Sequence, residues 1–433
     1  MITTAFVNIW GETAGAVAWD KNKGLASFEY DPGFVSTGWE LSPIKMPLSD
    51  TIYSFPERKA NQNETFNAFK GLPGLLADVL PDKYGNQLIN AWLAKNGRPE
   101  NSMNPIEKLC FIGNRGIGAL EFEPATLASP QKPFDVEINS LVDIAQKMLA
   151  KGDQFEANID QDEQQAMQKI LRIGTSAGGA RPKAIIAYNP QTGDIQSGQT
   201  DAPEGFEHWL IKLDGVSDAP FGKSQGYGRV EMAYYRMATD CGVDMMESCL
   251  LEENSRAHFM TKRFDRTPDK KKHHIQTLCA LQHYDFNDVH SFSYEQLFQT
   301  MRLIRLPYPQ AEQMFRRMVF NVAARNCDDH TKNFAFMLKK NSAWELAPAY
   351  DICHAYRPGS LWVSRHSLSI NGKREAINRE DILTIARSMH IKKADAIMDE
   401  INATVSEWNQ YAEQAKVNAP LREAIADTLI HIS

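Results

Sequence analysis

Arg325-Asn326-Cys327-Asp328-Asp329-His330-Thr331-Lys332-Asn333 is the stretch around which the rest of the chain is read. It closes an amphipathic run, Gln310–Arg325, in which Met314, Phe315, Met318, Val319 and Val322 recur at helical spacing. The predicted helix ends in a loop crowded with polar groups. Asp and Asn at a helix terminus often serve only as caps and turn formers. Phosphoryl transfer, however, needs an acceptor for the attacking hydroxyl's proton and oxygen ligands for a hard cation. Asp328 and Asn333 have the Asp-x-x-x-x-Asn spacing that supplies both. Asp329 is one residue too close to Asn333, so Asp328 is read as the base.

A second carboxylate follows in Leu346-Ala347-Pro348-Ala349-Tyr350-Asp351. Phe334–Leu338 and Trp344–Leu346 form a predicted short hairpin, which brings Asp351 back toward Asn333. Asp351 and Asn333 are then the candidate Mg²⁺ ligands. Asp328-Asp329 alone favours the capping reading. The joint pattern of Asp328, Lys332, Asn333 and Asp351 shifts the balance to chemistry.

Upstream lies Gly174-Thr175-Ser176-Ala177-Gly178-Gly179-Ala180-Arg181-Pro182-Lys183. Small residues let backbone amides approach phosphate oxygens, and Lys183 can neutralise charge. It is no Walker loop, because the Gly-Lys-Ser/Thr ending is missing. Lys212 sits within the apolar run Trp209-Leu210-Ile211-Lys212-Leu213. An ammonium in an apolar strand is costly to bury unless it is paired. Protection of a sheet edge is the plain explanation; a phosphate-binding lysine with Glu231 as its partner is the functional one.

Length and composition bound the answer. The chain has 433 residues, 43% of them hydrophobic and 23% charged, with a formal net charge of -7. At roughly 100–200 residues per domain this is two or three globular units. An acidic balance argues against a general nucleic-acid coat, which needs clustered Lys and Arg. Six scattered cysteines form no CxxC pair, the N-terminus lacks a secretory pattern, and no apolar run reaches membrane-spanning length. The expectation is a cytoplasmic protein with reduced thiols and no membrane partner.

The organisation is α+β. Ala5–Trp10 and Gly15–Trp19 read as strands, Leu75–Leu93 as helical, and Cys110–Phe122 as two short strands around the Gly113–Gly118 turn, taken as a plain hairpin turn. Pro124–Pro133 is the best linker. Asp160–Ile173 reads as a helix, Ala184–Tyr188 and Phe206–Leu213 as strands, Arg229–Cys241 as a helix of the same lobe, and Cys249–Glu253 with Ala257–Phe264 as a hairpin. After Phe264 the strand signal fades, and Tyr294–Ile304, Gln310–Arg325, Arg379–Met389, Ala394–Glu413 and Leu421–Ile430 read as helices. The basic run Lys270-Lys271-Lys272 reads as a solvated loop.

Taken together these motifs resemble the HipA family of bacterial serine/threonine kinase toxins. The resemblance is carried by Thr175–Lys183, Ile211-Lys212, Lys262-Arg263-Phe264-Asp265-Arg266, Asp328–Asn333 and Ala347–Asp351, with Leu80-Pro81-Asp82 in the N-terminal part. It implies a two-lobed, protein-kinase-like fold: an N-terminal subdomain over residues 1–125, an ATP-binding region over 134–266 and a mainly helical lobe over 267–433. It implies ATP and Mg²⁺ as cofactors, with Asp328 as base and Asn333 and Asp351 on the metal. The implied ATP-binding set is Thr175, Ser176, Ala177, Gly178, Gly179, Ala180, Lys183, Lys212, Thr261, Lys262, Arg263, Phe264, His330, Lys332, Asn333 and Asp351, with backbone groups near Thr261–Arg263 meeting adenine. Ser176 matches the serine that such kinases phosphorylate on themselves. Arg181-Pro182 departs from the family's frequent Gln-Glu, and Pro182 removes an amide donor. The implied partners are a small helix-turn-helix antitoxin (HipB-like), operator DNA chiefly through that antitoxin, and a protein substrate, an aminoacyl-tRNA synthetase. The competing expectations are a non-enzymatic pseudokinase that acts as co-repressor, and a kinase of lipids or small molecules.

Overall fold

A computed structural model describes residues 2–58, 67–127, 133–151, 171, 173–174, 181–199, 201–216 and 226–433. The chain forms two compact units. One comprises Met1–Leu41, Leu48–Gln225 and Cys249–His274, and the other Ser42–Pro47, Gly226–Ser248 and Ile275–Ser433.

The first unit opens with β1 (Thr4–Ile9), β2 (Glu12–Asp20) and β3 (Leu25–Tyr30), which join β4 (Leu120–Glu123) in the order β3-β2-β1-β4. Ala5, Val7 and Ile9 are buried while Thr4 and Phe6 are exposed, the alternation of a sheet covered on one face. Gly15 is demanded by packing, since a Cβ there would lie 2.1 Å from the Glu29 carbonyl oxygen. The apolar pattern over Leu75–Leu93 resolves into two helices, Gly74–Ala77 and Lys83–Lys95, with Pro81 between them and Asp82 capping the second.

Cys110–Phe122 corrects the sequence reading. Cys110-Phe111-Ile112 ends the helix Pro105–Ile112, capped by Asn104, and only Leu120–Glu123 is a strand. Gly113–Gly118 is therefore a helix-to-strand connection and not a hairpin turn. The run Ile106, Leu109, Cys110, Phe111 and Ile112 is buried nearly all round, so its periodicity gives no helical stripe to read.

β5 (Lys183–Tyr188), β6 (Ile195–Ser197), β7 (Glu207–Lys212), β8 (Ser248–Glu253) and β9 (Arg256–Lys262) form a second sheet in the order β6-β5-β7-β9-β8. Ala184, Ile186, Trp209, Ile211 and Met260 pack with Leu88, Ile89 and Leu93 of the Lys83–Lys95 helix and with Leu141, Val142 and Ala145. The β5–β7 register sets Lys183 opposite Lys212, and the β7–β9 register sets Lys212 opposite Phe259.

The second unit is mainly helical. Its helices are Tyr227–Asp240, Tyr294–Leu303, Tyr308–Ala323, Arg379–Met389, Ala394–Ser406, Trp408–Gln414 and Ala419–Ala426, with the short Leu278–Gln282. The helix read over 229–241 as part of the strand-bearing lobe belongs to this unit, because its apolar face is covered here. Tyr234 meets the Trp408 ring at 5.5 Å and donates its hydroxyl to the Ala324 carbonyl at 2.6 Å. The run Ala394–Glu413 is two helices broken at Glu407. Short strands that the sequence did not signal are β10 (His274–Thr277), β11 (Phe292–Ser293) and β14 (Leu368–Ser369); two to four residues carry too little alternation to read. β12 (Ala335–Leu338) and β13 (Trp344–Leu346) form the expected hairpin.

The helix read over Asp160–Ile173 is described only at Leu171 and Ile173, and the loop Thr175–Ala180 with Ser176 lies outside the described residues. Among the described residues no helix is long and apolar enough to cross a membrane. All six cysteines stand outside any disulfide.

Candidate active site

The Tyr308–Ala323 helix buries Met314, Phe315, Met318, Val319, Phe320 and Val322, and with them the polar Arg317 and Asn321. It stops at Ala324, and Arg325 follows in the left-handed region at φ 54°. Asn326 then folds back on the helix end. Its amide donates to the Asn321 carbonyl and its Nδ2 to Asn321 Oδ1, both at 2.9 Å. The Cys327 amide donates to the Ala355 carbonyl at 3.0 Å, and the Ala355 amide to the Arg325 carbonyl at 3.1 Å. The loop backbone is thereby bound to the segment that follows Asp351.

The two adjacent acids have opposite environments. Asp329 is fully buried and engaged: Tyr294 donates its hydroxyl to Oδ2 at 2.8 Å, His366 Nδ1 lies 3.0 Å from the same oxygen, and the Ser367 amide donates to Oδ1 at 2.7 Å. Burial works against the His366 cation, but the Asp329 carboxylate beside it prevails and raises the imidazole to about 10. Burial, then Asp329, pushes the Tyr294 phenol well above its ordinary range. The Asp328 side chain is 46% exposed, with His330 Nε2 3.8 Å from its Oδ1.

Thr331–Asn333 makes one 3₁₀ turn, and His330 Nδ1 accepts from the Lys332 amide at 3.3 Å. The Tyr350 hydroxyl donates to the Lys332 carbonyl at 2.7 Å, tying the loop to the residue before Asp351. Lys332 Nζ lies 5.2 Å from the centre of the Phe286 ring, and the His330 ring packs on that ring at the same distance. Asn333 Nδ2 donates to the Asp328 carbonyl at 2.6 Å. That bond fixes which way the amide faces and leaves Oδ1 as the oxygen it does not use. Asp351 stands at φ 52°, a strained conformation for a residue with a side chain. Asn333 and Asp351 line one small cleft with Asp329, Asn326, Asn321 and Arg317. An amide oxygen and a carboxylate are hard donors of the kind Mg²⁺ takes, two protein ligands being completed by phosphate and water. Among the described residues no group of three or more His, Cys, Asp or Glu is placed to hold a metal alone.

Arg317 escaped the sequence reading. It is 3% exposed, donates Nη2 to the Ala347 carbonyl at 2.8 Å, and so fixes the chain three residues before Tyr350. Burial lowers it to about 10, opposed by Asp244 and Tyr350. No sequence signal marks it beyond being an arginine on the apolar face of a helix.

The remaining candidates, Glu231 apart, lie in the first unit. Lys183 is buried at the start of β5, and Lys212 ends β7 with Nζ 5.7 Å from the centre of the Phe259 ring. Thr261 and Lys262 close β9, and Lys262 Nζ donates to Glu207 Oε1 at 2.5 Å. The Arg263 amide donates to the His208 carbonyl at 2.9 Å, while its Nε and Nη2 grip Asp265 at 2.8 and 2.6 Å. Phe264 is half-buried beyond the strand end. Glu231 is buried on the Tyr227–Asp240 helix of the second unit.

Asp265 is the centre of a clamp whose role the sequence did not show. Arg266 Nη1 donates to its Oδ2 at 2.8 Å, the Gly118 amide donates to Oδ2 at 2.7 Å, and Arg266 also donates to the carbonyls of Gly118 and Gly116 at 2.9 and 3.0 Å. The Arg-Phe-Asp-Arg element thus seizes the Gly113–Gly118 connection. Burial opposes the Asp265 charge, yet Arg263 and Arg266 hold the carboxyl far below its usual range.

A Haemophilus influenzae protein named "Putative kinase" is 29% identical over 134 residues; the match takes in 28% of this chain and 39% of that protein, so it spans well under half of that relative. A chain of the Shewanella oneidensis MR-1 toxin–antitoxin complex of HipA, HipB and operator DNA superposes over 98% of this chain and 94% of its own, with a TM-score of 0.66 at 16% identity, and shares the fold. The Helicobacter pylori proinflammatory kinase CtkA covers 58% of this chain and 92% of its own at 14% identity, with a TM-score of 0.33, too slight a likeness to bear on the argument. The HipA N-terminal domain is matched over residues 5–123 and the HipA-like C-terminal domain over residues 175–408, more than half of the sequence, and the chain therefore belongs to the HipA family.

Proposed function

We propose that the chain is an ATP- and Mg²⁺-dependent serine/threonine protein kinase, the toxin of a toxin–antitoxin module. The observation that carries this reading is the contrast within one loop. Asp329 is buried and bound on both oxygens, while the adjacent Asp328 presents a half-exposed carboxylate, with Asn333 oriented by the Asp328 carbonyl. Asp328 accepts the proton of the attacking hydroxyl. Asn333 and Asp351 would hold Mg²⁺, which would neutralise phosphate charge when bound. Lys183 and Lys212 stand opposite each other across β5 and β7, where one phosphate group could meet both.

The protein substrate in this reading is an aminoacyl-tRNA synthetase, and the chain also phosphorylates its own Ser176. A phosphate on Ser176 adds about two negative charges and repels the ATP phosphates. The partner is a small helix-turn-helix antitoxin of the HipB kind, through which operator DNA is bound. The lysine run supports an indirect DNA contact: Lys271 pairs with Asp269 at 2.6 Å, Lys272 with Glu121 at 2.6 Å and Lys270 with Asp201 at 3.7 Å.

The test is label transfer from γ-labelled ATP with purified chain, alone and with cell extract, beside the Asp328→Gln variant. Wild type should label itself and an extract protein, with peptide mapping placing the self-label at Ser176. Full transfer by Asp328→Gln refutes the base assignment. Wild type that neither binds Mg·ATP nor labels protein leaves the co-repressor reading, and label passing only to small alcohols replaces the protein substrate.

A further inference from the structure

Asp329 is bound by donors from two separate segments. Tyr294 opens the Tyr294–Leu303 helix, and its hydroxyl also accepts from Asn321 Nδ2 at 3.0 Å on the helix that leads into the loop. His366 and Ser367 run into β14, which pairs in parallel with β11 directly before Tyr294, Phe292 opposite Leu368 and Ser293 opposite Ser369. The donors therefore share one support. Arg374 reinforces it with a bond to the Phe292 carbonyl at 2.9 Å and another to the Ser367 carbonyl. Ser367 Oγ donates to the Cys327 carbonyl at 3.2 Å, so the same segment also holds the peptide just before Asp328. The side chains of Asp329 and His366 are 0% and 1% exposed. Asp328 lies between two fixed points, the Cys327 carbonyl and the Asp329 carboxylate, and is itself half exposed.

We propose that Asp329 is a positioning residue for phosphoryl transfer: through Tyr294, His366 and Ser367 it fixes the loop backbone and hence the place of the Asp328 carboxylate. This rests on the reading of Asp328 as base. A displacement of about 1 Å in a reacting group can cost about a hundredfold in rate. The neighbouring acids divide the work, one meeting the substrate hydroxyl and the other meeting only protein. His366 holds the Asp329 charge where water is excluded, and the two act as one unit.

The experiment compares D328N, D329N, H366N, Y294F and the double variant D329N/H366N in the full chain. It measures the rate of label transfer from Mg·ATP to the chain itself and to extract protein, and calorimetric Mg·ATP binding, which counts folded sites. D329N and H366N should each lower kcat about tenfold to a hundredfold with Mg·ATP affinity within about twofold of wild type. The double variant should be no worse than the weaker single by more than about twofold, as expected of residues that act together. Y294F, which loses one hydroxyl, should lose about threefold to tenfold and decides the matter if D329N does not fold. Wild-type kcat in D329N or Y294F, beside an inactive D328N, overturns the proposal. So do additive losses in the double variant, or a rate loss that merely tracks the loss of binding sites. An active D328N instead overturns the base assignment on which the proposal rests.

Discussion

Asp328 and Asp351 carry the same charge but answer to different tests. Asp328 is half exposed, so replacing it by Asn should leave stability within about 0.5 kcal/mol while lowering phosphate transfer at least about a hundredfold. Urea unfolding and γ-label transfer on the same preparation measure both. Asp351 sits at φ 52°, a region that Asn tolerates and most other residues do not. Asp351→Asn therefore removes charge without disturbing the backbone, and should raise the Mg²⁺ needed for half-maximal transfer by about tenfold or more. An unchanged Mg²⁺ dependence removes Asp351 from the metal. The spacing to Asn333 was readable from the sequence, and it is what favours Asp328 over Asp329 as the proposed base. The reason Asp329 is acidic was not, because Tyr294 and His366 lie some 35 residues to either side and only the fold brings them to one carboxylate.

At the scale of elements, the Asp265 clamp makes a direct prediction. Asp265→Asn leaves the Arg263 and Arg266 guanidiniums together at a site where they are 5% and 9% exposed, and breaking such a buried pair costs roughly 3–5 kcal/mol. Urea unfolding should show that loss, and a change below about 1 kcal/mol refutes the clamp's structural role. The hairpin β12–β13 and strands β5, β7 and β9 were legible because short apolar runs lay between turn residues. Gly113–Gly118 was not. The apolar Cys110-Phe111-Ile112 is as good a buried strand as a buried helix end, and the groups that hold the connection come from Asp265 and Arg266, about 150 residues away. The Tyr227–Asp240 helix was recognised as a helix but assigned to the wrong unit, since its sequence cannot say that Trp408 covers Tyr234.

For the whole molecule, buried imidazoles set opposite slopes on stability. Burial lowers His208, His274 and His354 to about 4, aided at His208 by Arg263 and Arg266 and at His354 by Arg325. Each is neutral in the fold and takes up a proton more readily when unfolded, so stability should fall as pH drops from about 6.5 to 4. His366 acts on the other side. Its folded value of about 10 exceeds the unfolded one, so its contribution is complete below about 6.5 and fades as pH rises toward 10. The melting temperature should therefore peak near neutral pH, and H366N should flatten the alkaline limb. A wild-type melting temperature flat from pH 4 to 7 contradicts the acid limb.

The Asp329–His366 contact also constrains how such sequences can drift. A neutral residue at 329 would take away what keeps the buried imidazole protonated and leave its ring nitrogen short of a partner, and a neutral residue at 366 would leave the carboxylate short of a cation. Either single step is disfavoured, whereas losing both is tolerable wherever an apolar pair fills the space. Among relatives the two positions should therefore change in concert, so that an alignment column for 329 forecasts the column for 366 while columns flanking either one do not.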